Sequence, residues 1–296
     1  MRRAALPFAC ATVLACTRAQ TAPPDGASDG ATPSAFDPSA LARAEDTRRA
    51  KDIPPEVRTS HDVTARRRSA RALARIADAE SVDALAAHLS DEDPETVTWA
   101  AYGLGHACKG REDAHVRMLA ARAASLPRAA TSARPGRARG AAELDPFVAT
   151  ARAIARCGAA MSEPVLTSLL SSGTGAKDVW ANAALLGLGD LATRKKALGA
   201  EAMTALLEAA SDREHHDDLA FYALSRAEPG EAFSRRVAET ARGALGRPGD
   251  TRLMAIRALG RAGKEIPREV APELGRVVAE AKSFGHGERA EAARAL

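Results

Sequence analysis

One small-residue helical pattern recurs along most of this 296-residue chain. It occurs in six segments, each of which has an aliphatic residue at its centre that we call the anchor. Successive anchors are 31, 50, 31, 39 and 35 residues apart, at Leu73, Leu104, Ile154, Leu185, Leu224 and Leu259. Near-periodic helical units of this length predict an all-α solenoid, in which each unit buries its apolar face against its neighbours.

Small residues accompany every anchor. The residue four positions before it is Ser, Ala or Thr, and the residue directly before it is Ala or Gly. On a helix these positions and the anchor form one arc, so that neighbouring backbones can pack closely there. Between these segments lie others with one-sided apolar stripes, such as Val82, Leu85 and Leu89. The sequence therefore predicts alternating helices arranged in pairs.

This pattern resembles the HEAT family, in particular the HEAT-like repeats first described in phycobilin lyases. The resemblance covers residues 59–296 and implies a right-handed α-solenoid of stacked helix pairs. In solenoids of that family the second helix of each pair lines the concave face. The motif indicates a fold and not a function, because one fold can carry many unrelated sites.

The amino terminus has the parts of an export signal. Residues 1–15 contain two arginines and then a short apolar stretch, too short to span a bilayer. The Val-Leu-Ala-Cys sequence that ends at Cys16 resembles a bacterial lipobox, which implies cleavage before Cys16 and lipidation of this residue. An ordinary cleaved signal is the alternative. We expect an exported, membrane-anchored lipoprotein that faces the periplasm, and Thr17 favours the outer membrane.

Three further segments complete the expected layout. Residues 16–40 are rich in small residues and proline, which predicts a flexible tether. A lead-in helix is expected within residues 41–58, and it should stop at the prolines Pro54 and Pro55. An arginine-rich insertion lies near residues 126–140. It is either a solvated excursion between repeats or a basic finger for lipid head groups or an acidic partner.

The predicted binding surface lies opposite the packing arc. The positions two residues before and after each anchor are rich in Arg and Tyr, and both tryptophans lie five residues before an anchor. Such residues dominate protein-binding hot spots, which predicts a concave groove for a protein partner such as an acidic extended segment. The alternative is that the arginines pair with acids of adjacent units and that the tryptophans pack between helices. The candidates are Arg71, Arg75, Trp99, Tyr102, His106, Arg152, Arg156, Trp180, Tyr222, Arg226, Arg257 and Arg261.

Two cysteines of the repeat region, Cys108 and Cys157, fall on the buried arc of what should be adjacent second helices. In an oxidising compartment they could form a disulfide, and otherwise they are small core residues. The neighbouring His215 and His216 would point about 100° apart on a helix and would not easily share one ion. We therefore expect no metal site and no cofactor.

The sequence shows no phosphate-binding glycine loop, no nucleophile elbow and no other catalytic spacing. The net charge of +4 is weak for a nucleic-acid-binding protein. The predicted function is a lipid-anchored envelope scaffold that binds protein partners and is not an enzyme. Two alternatives remain: the HEAT-like part of a lipoprotein prolyl isomerase whose cyclophilin-type domain would follow Leu296, and a bilin-lyase-like or chaperone factor. The oligomeric state stays open.

Overall fold

The computed structural model describes residues 37–127, 145–172, 178–212, 217–263, 266–280 and 282–296. Within these ranges the chain is all-α, with fifteen α-helices, one short 3-10 helix and no β-strand. None of these helices is long and apolar enough to cross a membrane. The α-helices are α1 (Pro38–Thr47), α2 (Pro55–Arg58), α3 (Val63–Ile76), α4 (Ala79–His88), α5 (Pro94–His106), α6 (Glu112–Ser125), α7 (Pro146–Cys157), α8 (Ser162–Ser171), α9 (Val179–Lys195), α10 (Ala200–Ser211), α11 (Asp217–Leu224), α12 (Gly230–Arg242), α13 (Asp250–Ala262), α14 (Val270–Ala279) and α15 (His286–Ala295).

The amino-terminal helices differ from the lead-in helix expected within residues 41–58. Helix α1 begins at Pro38 because the Asp37 side chain caps it and accepts a hydrogen bond of 2.8 Å from the backbone N–H of Ser39. It ends at Thr47, and a 3-10 helix and then α2 follow. The lead-in segment is therefore three short helices, and the expected tether boundary at residue 40 falls inside α1.

Other parts of the expected layout lie outside the described residues. These are the signal peptide 1–15, Cys16 with the tether as far as residue 36, residues 128–140 of the arginine-rich insertion, and the histidines 215 and 216. At the described edge of the insertion, Leu126 is the C-cap of α6 and is only 6% exposed. The insertion therefore starts after Leu126, because this residue belongs to the core.

As in α1, aspartates cap the next four odd-numbered helices. Asp62, Asp93, Asp145 and Asp178 are the N-caps of α3, α5, α7 and α9, and each side chain accepts a hydrogen bond from a backbone N–H of the first turn. In α5 and α7 the next residue is proline, which suits the first helical position because its missing N–H has no partner there to lose. These caps determine where each helix starts.

The odd-numbered helices from α3 to α15 pack one against the next in chain order. Each even-numbered helix from α4 to α14 packs against the odd-numbered helix that follows it, and α10 also contacts α8 and α12. All six anchors lie in odd-numbered helices, from α3 to α13, and none is more than 1% exposed. The odd-numbered helices therefore provide the central packing of the described chain.

Glycines allow these helices to approach closely. A Cβ atom added to Gly105 in α5 would lie 2.8 Å from the Cα atom of Ala153 in α7. On the other side of α5, a Cβ atom added to Gly103 would lie 2.8 Å from the Cα atom of Ala74 in α3. Both separations are shorter than van der Waals contact, so neither of these two positions of α5 has space for a larger side chain.

We expect Gly105→Ala to lower the free energy of unfolding by about 1–3 kcal/mol, because the added methyl group overpacks the contact with Ala153. Gly275→Ala in α14 is the matched control, since nothing lies within 4 Å of its added Cβ atom. The control should raise the free energy of unfolding by about 0.4–1 kcal/mol. Urea denaturation followed by circular dichroism measures both. A Gly105→Ala variant as stable as the wild type would contradict the close approach.

Candidate functional site

Eleven of the twelve candidate residues lie on or directly beside five odd-numbered helices, α3, α5, α7, α11 and α13, and all eleven are exposed or half-buried. We call them the arginine–aromatic row. Its members are Arg71 and Arg75 in α3, Trp99, Tyr102 and His106 in α5, Arg152 and Arg156 in α7, Tyr222 in α11, Arg226 just after α11, and Arg257 and Arg261 in α13.

Trp180 does not belong to the row. Its side chain is only 3% exposed and packs edge-on against Phe147, with the ring centroids 4.6 Å apart. The prediction that Trp180 lines the binding face is therefore wrong, because this ring fills the core at the contact of α7 with the start of α9. Trp99, which has the same position relative to its anchor, is half-buried.

Aromatic rings form the amino-terminal part of the row. The guanidinium of Arg71 lies 5.7 Å from the ring centroid of Trp99, and the rings of Trp99 and Tyr102 meet edge to face at 6.0 Å. Tyr102 is 40% exposed, its ring centroid is 4.4 Å from that of His106, and the guanidinium of Arg156 lies 5.2 Å from it. Cation–π contacts thus connect α3 to α5 and α5 to α7.

Arg156 and His106 differ in charge, although both contact Tyr102. Burial lowers the pKa of Arg156, although this group remains a cation at neutral pH. Burial and the positive charge of Arg156 also lower the pKa of His106, so that its imidazole is neutral at pH 7. Arg156 is therefore the cation of this aromatic group, and the His106 ring packs beside Tyr102 without adding a charge.

A hydrogen-bonded ladder forms the middle of the row. The Nε atom of Arg152 donates to Asp190 at 2.8 Å, and the hydroxyl group of Tyr222 donates to the other carboxylate oxygen at 2.7 Å. The guanidinium of Arg226 stacks 3.6 Å from the ring centroid of Tyr222. Asp190 in α9 thus joins α7 to α11, and it also aligns the tyrosine on which Arg226 lies.

Carboxylates of neighbouring helices pair with three of the row's arginines. Besides Arg152, these are Arg75, which lies 2.6 Å from Glu45 in α1, and Arg257, which lies 3.1 Å from Glu291 in α15. These contacts match the alternative reading of the arginines, in which they hold adjacent units together. In the described ranges, the row's other arginines have no carboxylate partner, and they are Arg71, Arg156, Arg226 and Arg261.

The carboxyl-terminal end of the row opens into a cavity of about 500 Å³. Among the described residues that line it there is one carboxylate, that of Glu291, which pairs with two of the arginines. Cationic side chains outnumber it, so the cavity favours an anionic ligand. The cations that line it are Lys196, Arg226, Arg257, Arg261 and Arg294.

Cys108 lies two residues after the end of α5, and Cys157 ends α7. Their Sγ atoms are joined in a disulfide, and their Cα atoms lie 5.3 Å apart. Both residues are buried, at 5% and 4% exposure. The disulfide therefore links two odd-numbered helices that pack against each other.

Helix α9 contributes two residues that the sequence pattern did not identify. Asp190 binds Arg152 and Tyr222, and Arg194 lines a second cavity together with Arg156. The pattern assigned surface positions only two residues from each anchor, but in α9 these are Ala183 and Gly187, which are buried. Because both of these positions hold small residues, the sequence itself indicates that a different part of α9 faces the row.

The chain matches no protein-family model and no curated protein. A crystal structure of an engineered protein from the Northeast Structural Genomics Consortium is similar over 88% of this chain and 70% of that chain, with a TM-score of 0.53 and 20% sequence identity. A second engineered protein from the same consortium covers 86% of this chain and 95% of that chain, with a TM-score of 0.40 and 18% identity. The first similarity supports the helical fold alone.

A double-mutant cycle tests the ladder. We expect Arg152→Ala and Asp190→Ala to show a coupling energy of about 1 kcal/mol in urea denaturation, because their charge-assisted hydrogen bond is partly shielded from water. The control cycle uses Arg49 and Asp52, an exposed pair 3.5 Å apart, whose coupling should be close to zero. Equal coupling in the two cycles would contradict a structural role for the ladder.

Proposed function

We propose that this protein is a lipid-anchored envelope scaffold, and that its HEAT-like, right-handed solenoid binds an acidic, extended protein segment along the arginine–aromatic row. In this proposal the odd-numbered helices are the second helices of the repeats and the row lines the concave face. The observation that carries the proposal is the set of four arginines in the row that lack a carboxylate partner among the described residues.

The repeat packing supports a solenoid. The odd-numbered helices from α3 to α15 contact their neighbours in chain order, as stacked units do, and those from α3 to α13 each bury an anchor. The even-numbered helices pack beside them, which corresponds to the first members of the predicted pairs. Because the row's residues recur at the same positions relative to the anchors, a stacked arrangement would present them along one continuous surface.

The chemistry of the row supports an acidic and extended ligand. Arg71, Arg156 and Arg226 lie over aromatic rings, which orient their guanidinium groups without neutralising them. Arginines held in this way can donate paired hydrogen bonds to carboxylates at a small entropic cost. The row extends over helices from α3 to α13, so a segment with several separated carboxylates would fit it better than a compact small molecule.

The cationic cavity supports an anchoring point at one end of this surface. Its volume of about 500 Å³ accommodates a few side chains of a bound segment. Arg226 and Arg261 line this cavity and have no carboxylate partner in the described ranges, whereas Arg257 shares Glu291 with Arg294. A carboxylate that enters the cavity would therefore find two available guanidinium groups.

The binding proposal is tested with a fluorescein-labelled 20-residue peptide of alternating Glu and Ser and with its Lys–Ser counterpart. We expect the acidic peptide alone to bind. Its affinity should fall with added salt. Arg156→Glu/Arg226→Glu/Arg261→Glu should weaken the binding at least about tenfold, which corresponds to about 1.4 kcal/mol. Fluorescence anisotropy measures the affinities.

The matched control is Arg117→Glu/Arg236→Glu/Arg276→Glu, which makes the same change of charge at exposed positions of α6, α12 and α14. Melting curves establish that both triple variants are folded, and a second version with Gln at 156, 226 and 261 removes charge without reversing it. If both Glu variants bind the acidic peptide equally well, the row is not the binding surface.

The lipid anchor is tested separately on the full chain expressed in a Gram-negative host. We expect the wild type in the membrane fraction with the added mass of acyl chains, since more than one chain gives stable anchoring. Cys16→Ser should move the protein to the soluble fraction without this mass. Cys10→Ser, in the same segment, is the control and should leave both properties unchanged. A wild-type protein without acyl mass would contradict lipidation.

A further inference from the structure

A buried cluster of three potential metal ligands lies where α5, α6 and α7 meet. Its members are Cys108, His115 and Cys157, which are 5%, 1% and 4% exposed. One ring nitrogen of His115 and the two Sγ atoms lie within 4.8 Å of one another. From the sequence, only His215 and His216 were considered as metal ligands, and this cluster was not identified.

The histidine ring is held in a definite orientation. Its Nδ1 atom lies 2.9 Å from the backbone carbonyl oxygen of Leu104. Because a carbonyl oxygen only accepts, the proton of the neutral ring is on Nδ1 and the lone pair is on Nε2. Nε2 is buried and has no hydrogen-bond partner in the described structure. A backbone carbonyl that fixes the tautomer of a histidine is the usual support of a metal-binding imidazole.

A cavity gives access to the two cysteines of this cluster. Both cysteines line an open cavity of about 360 Å³, whose wall includes three cations, Lys109, Arg156 and Arg194, and one carboxylate, that of Glu112. Positive charges close to a cysteine favour the thiolate, which is the form that attacks disulfides and binds metals. The cavity therefore provides an entry path for a reductant and for an ion.

We propose that the Cys108–Cys157 disulfide is reversibly reduced by an external dithiol and that the reduced pair, together with the imidazole of His115, binds one thiophilic cation, Zn²⁺ or Cu⁺. In the reduction, the S–S bond accepts two electrons and two protons from the dithiol, which itself becomes a disulfide. On binding, the two protein thiols release their protons to solvent, and both thiolates bind the ion.

The chemistry of the ligands favours these two ions. Thiolate and imidazole ligands select Zn²⁺ and Cu⁺ over Mg²⁺ and Ca²⁺, which prefer oxygen. Two thiolates neutralise the charge of Zn²⁺, so a buried complex carries no net charge. The cavity has space for a water molecule as the fourth ligand of Zn²⁺. Cu⁺ would accept the three protein ligands alone.

The experiment uses the full chain, reduced with dithiothreitol under nitrogen and freed of the reductant. Zn²⁺ is titrated in competition with a chromophoric chelator, and Cu⁺ in parallel with a Cu⁺-specific one. We expect one tightly bound ion per reduced chain and none per oxidised chain. Co²⁺ added to the reduced protein should give a thiolate charge-transfer band. The ratio of the two affinities identifies the preferred ion.

Two variants distinguish the cluster from other ligands. His115→Gln should weaken binding at least about tenfold, since supporting residues of metal sites alone typically account for 10- to 100-fold. Cys108→Ser/Cys157→Ser should abolish the Co²⁺ band and the tight binding. His286→Gln, at an exposed position in α15, is the control and should bind like the wild type. Circular dichroism checks that each variant is folded.

The proposal is overturned if the reduced wild type binds neither ion more tightly than Cys108→Ser/Cys157→Ser does. It is also overturned if folded His115→Gln binds as tightly as the wild type, because the imidazole would then not be a ligand. The peptide-binding experiment is independent of both results, since it uses the oxidised protein and arginines outside the ligand set.

Discussion

The close approach of helix backbones at small residues is the constraint on which the rest of this structure depends. Gly105 meets Ala153 and Gly103 meets Ala74 at distances that allow no larger side chain. This spacing brings the surface positions of neighbouring odd-numbered helices within reach of one another. An arginine in one helix can therefore contact a ring or a carboxylate of the next, as Arg156 contacts Tyr102.

The arginines of the row include two kinds, those that pair with a carboxylate and those that lie over an aromatic ring. Arg152 is paired with Asp190 and connects helices, whereas Arg226 lies over Tyr222 and has no carboxylate partner in the part of the chain that the structure describes. The same aspartate binds both Arg152 and Tyr222, so the two kinds of arginine are coupled through one carboxylate. A surface that combines paired and unpaired guanidinium groups in this way can be rigid and still attract an anion.

The sequence predicted the helices and their buried residues better than the surface. Each anchor is buried because its repeat pattern encodes the packing arc locally. The partners of Arg75, Arg152 and Arg257 were not predictable from that pattern, since Glu45, Asp190 and Glu291 come from neighbouring helices. Trp180 was assigned wrongly for the same reason: its environment depends on Phe147 in another helix, and not on its own position.

The disulfide has a consequence for the covalent integrity of the molecule. It joins Cys108 to Cys157 across a separation of 49 residues, and the segment 128–144 lies between them in the chain. A single peptide-bond cleavage anywhere in that segment would leave the two resulting fragments covalently attached. Only reduction would then separate them, so the redox state of this one bond decides whether a nicked chain remains a single molecule.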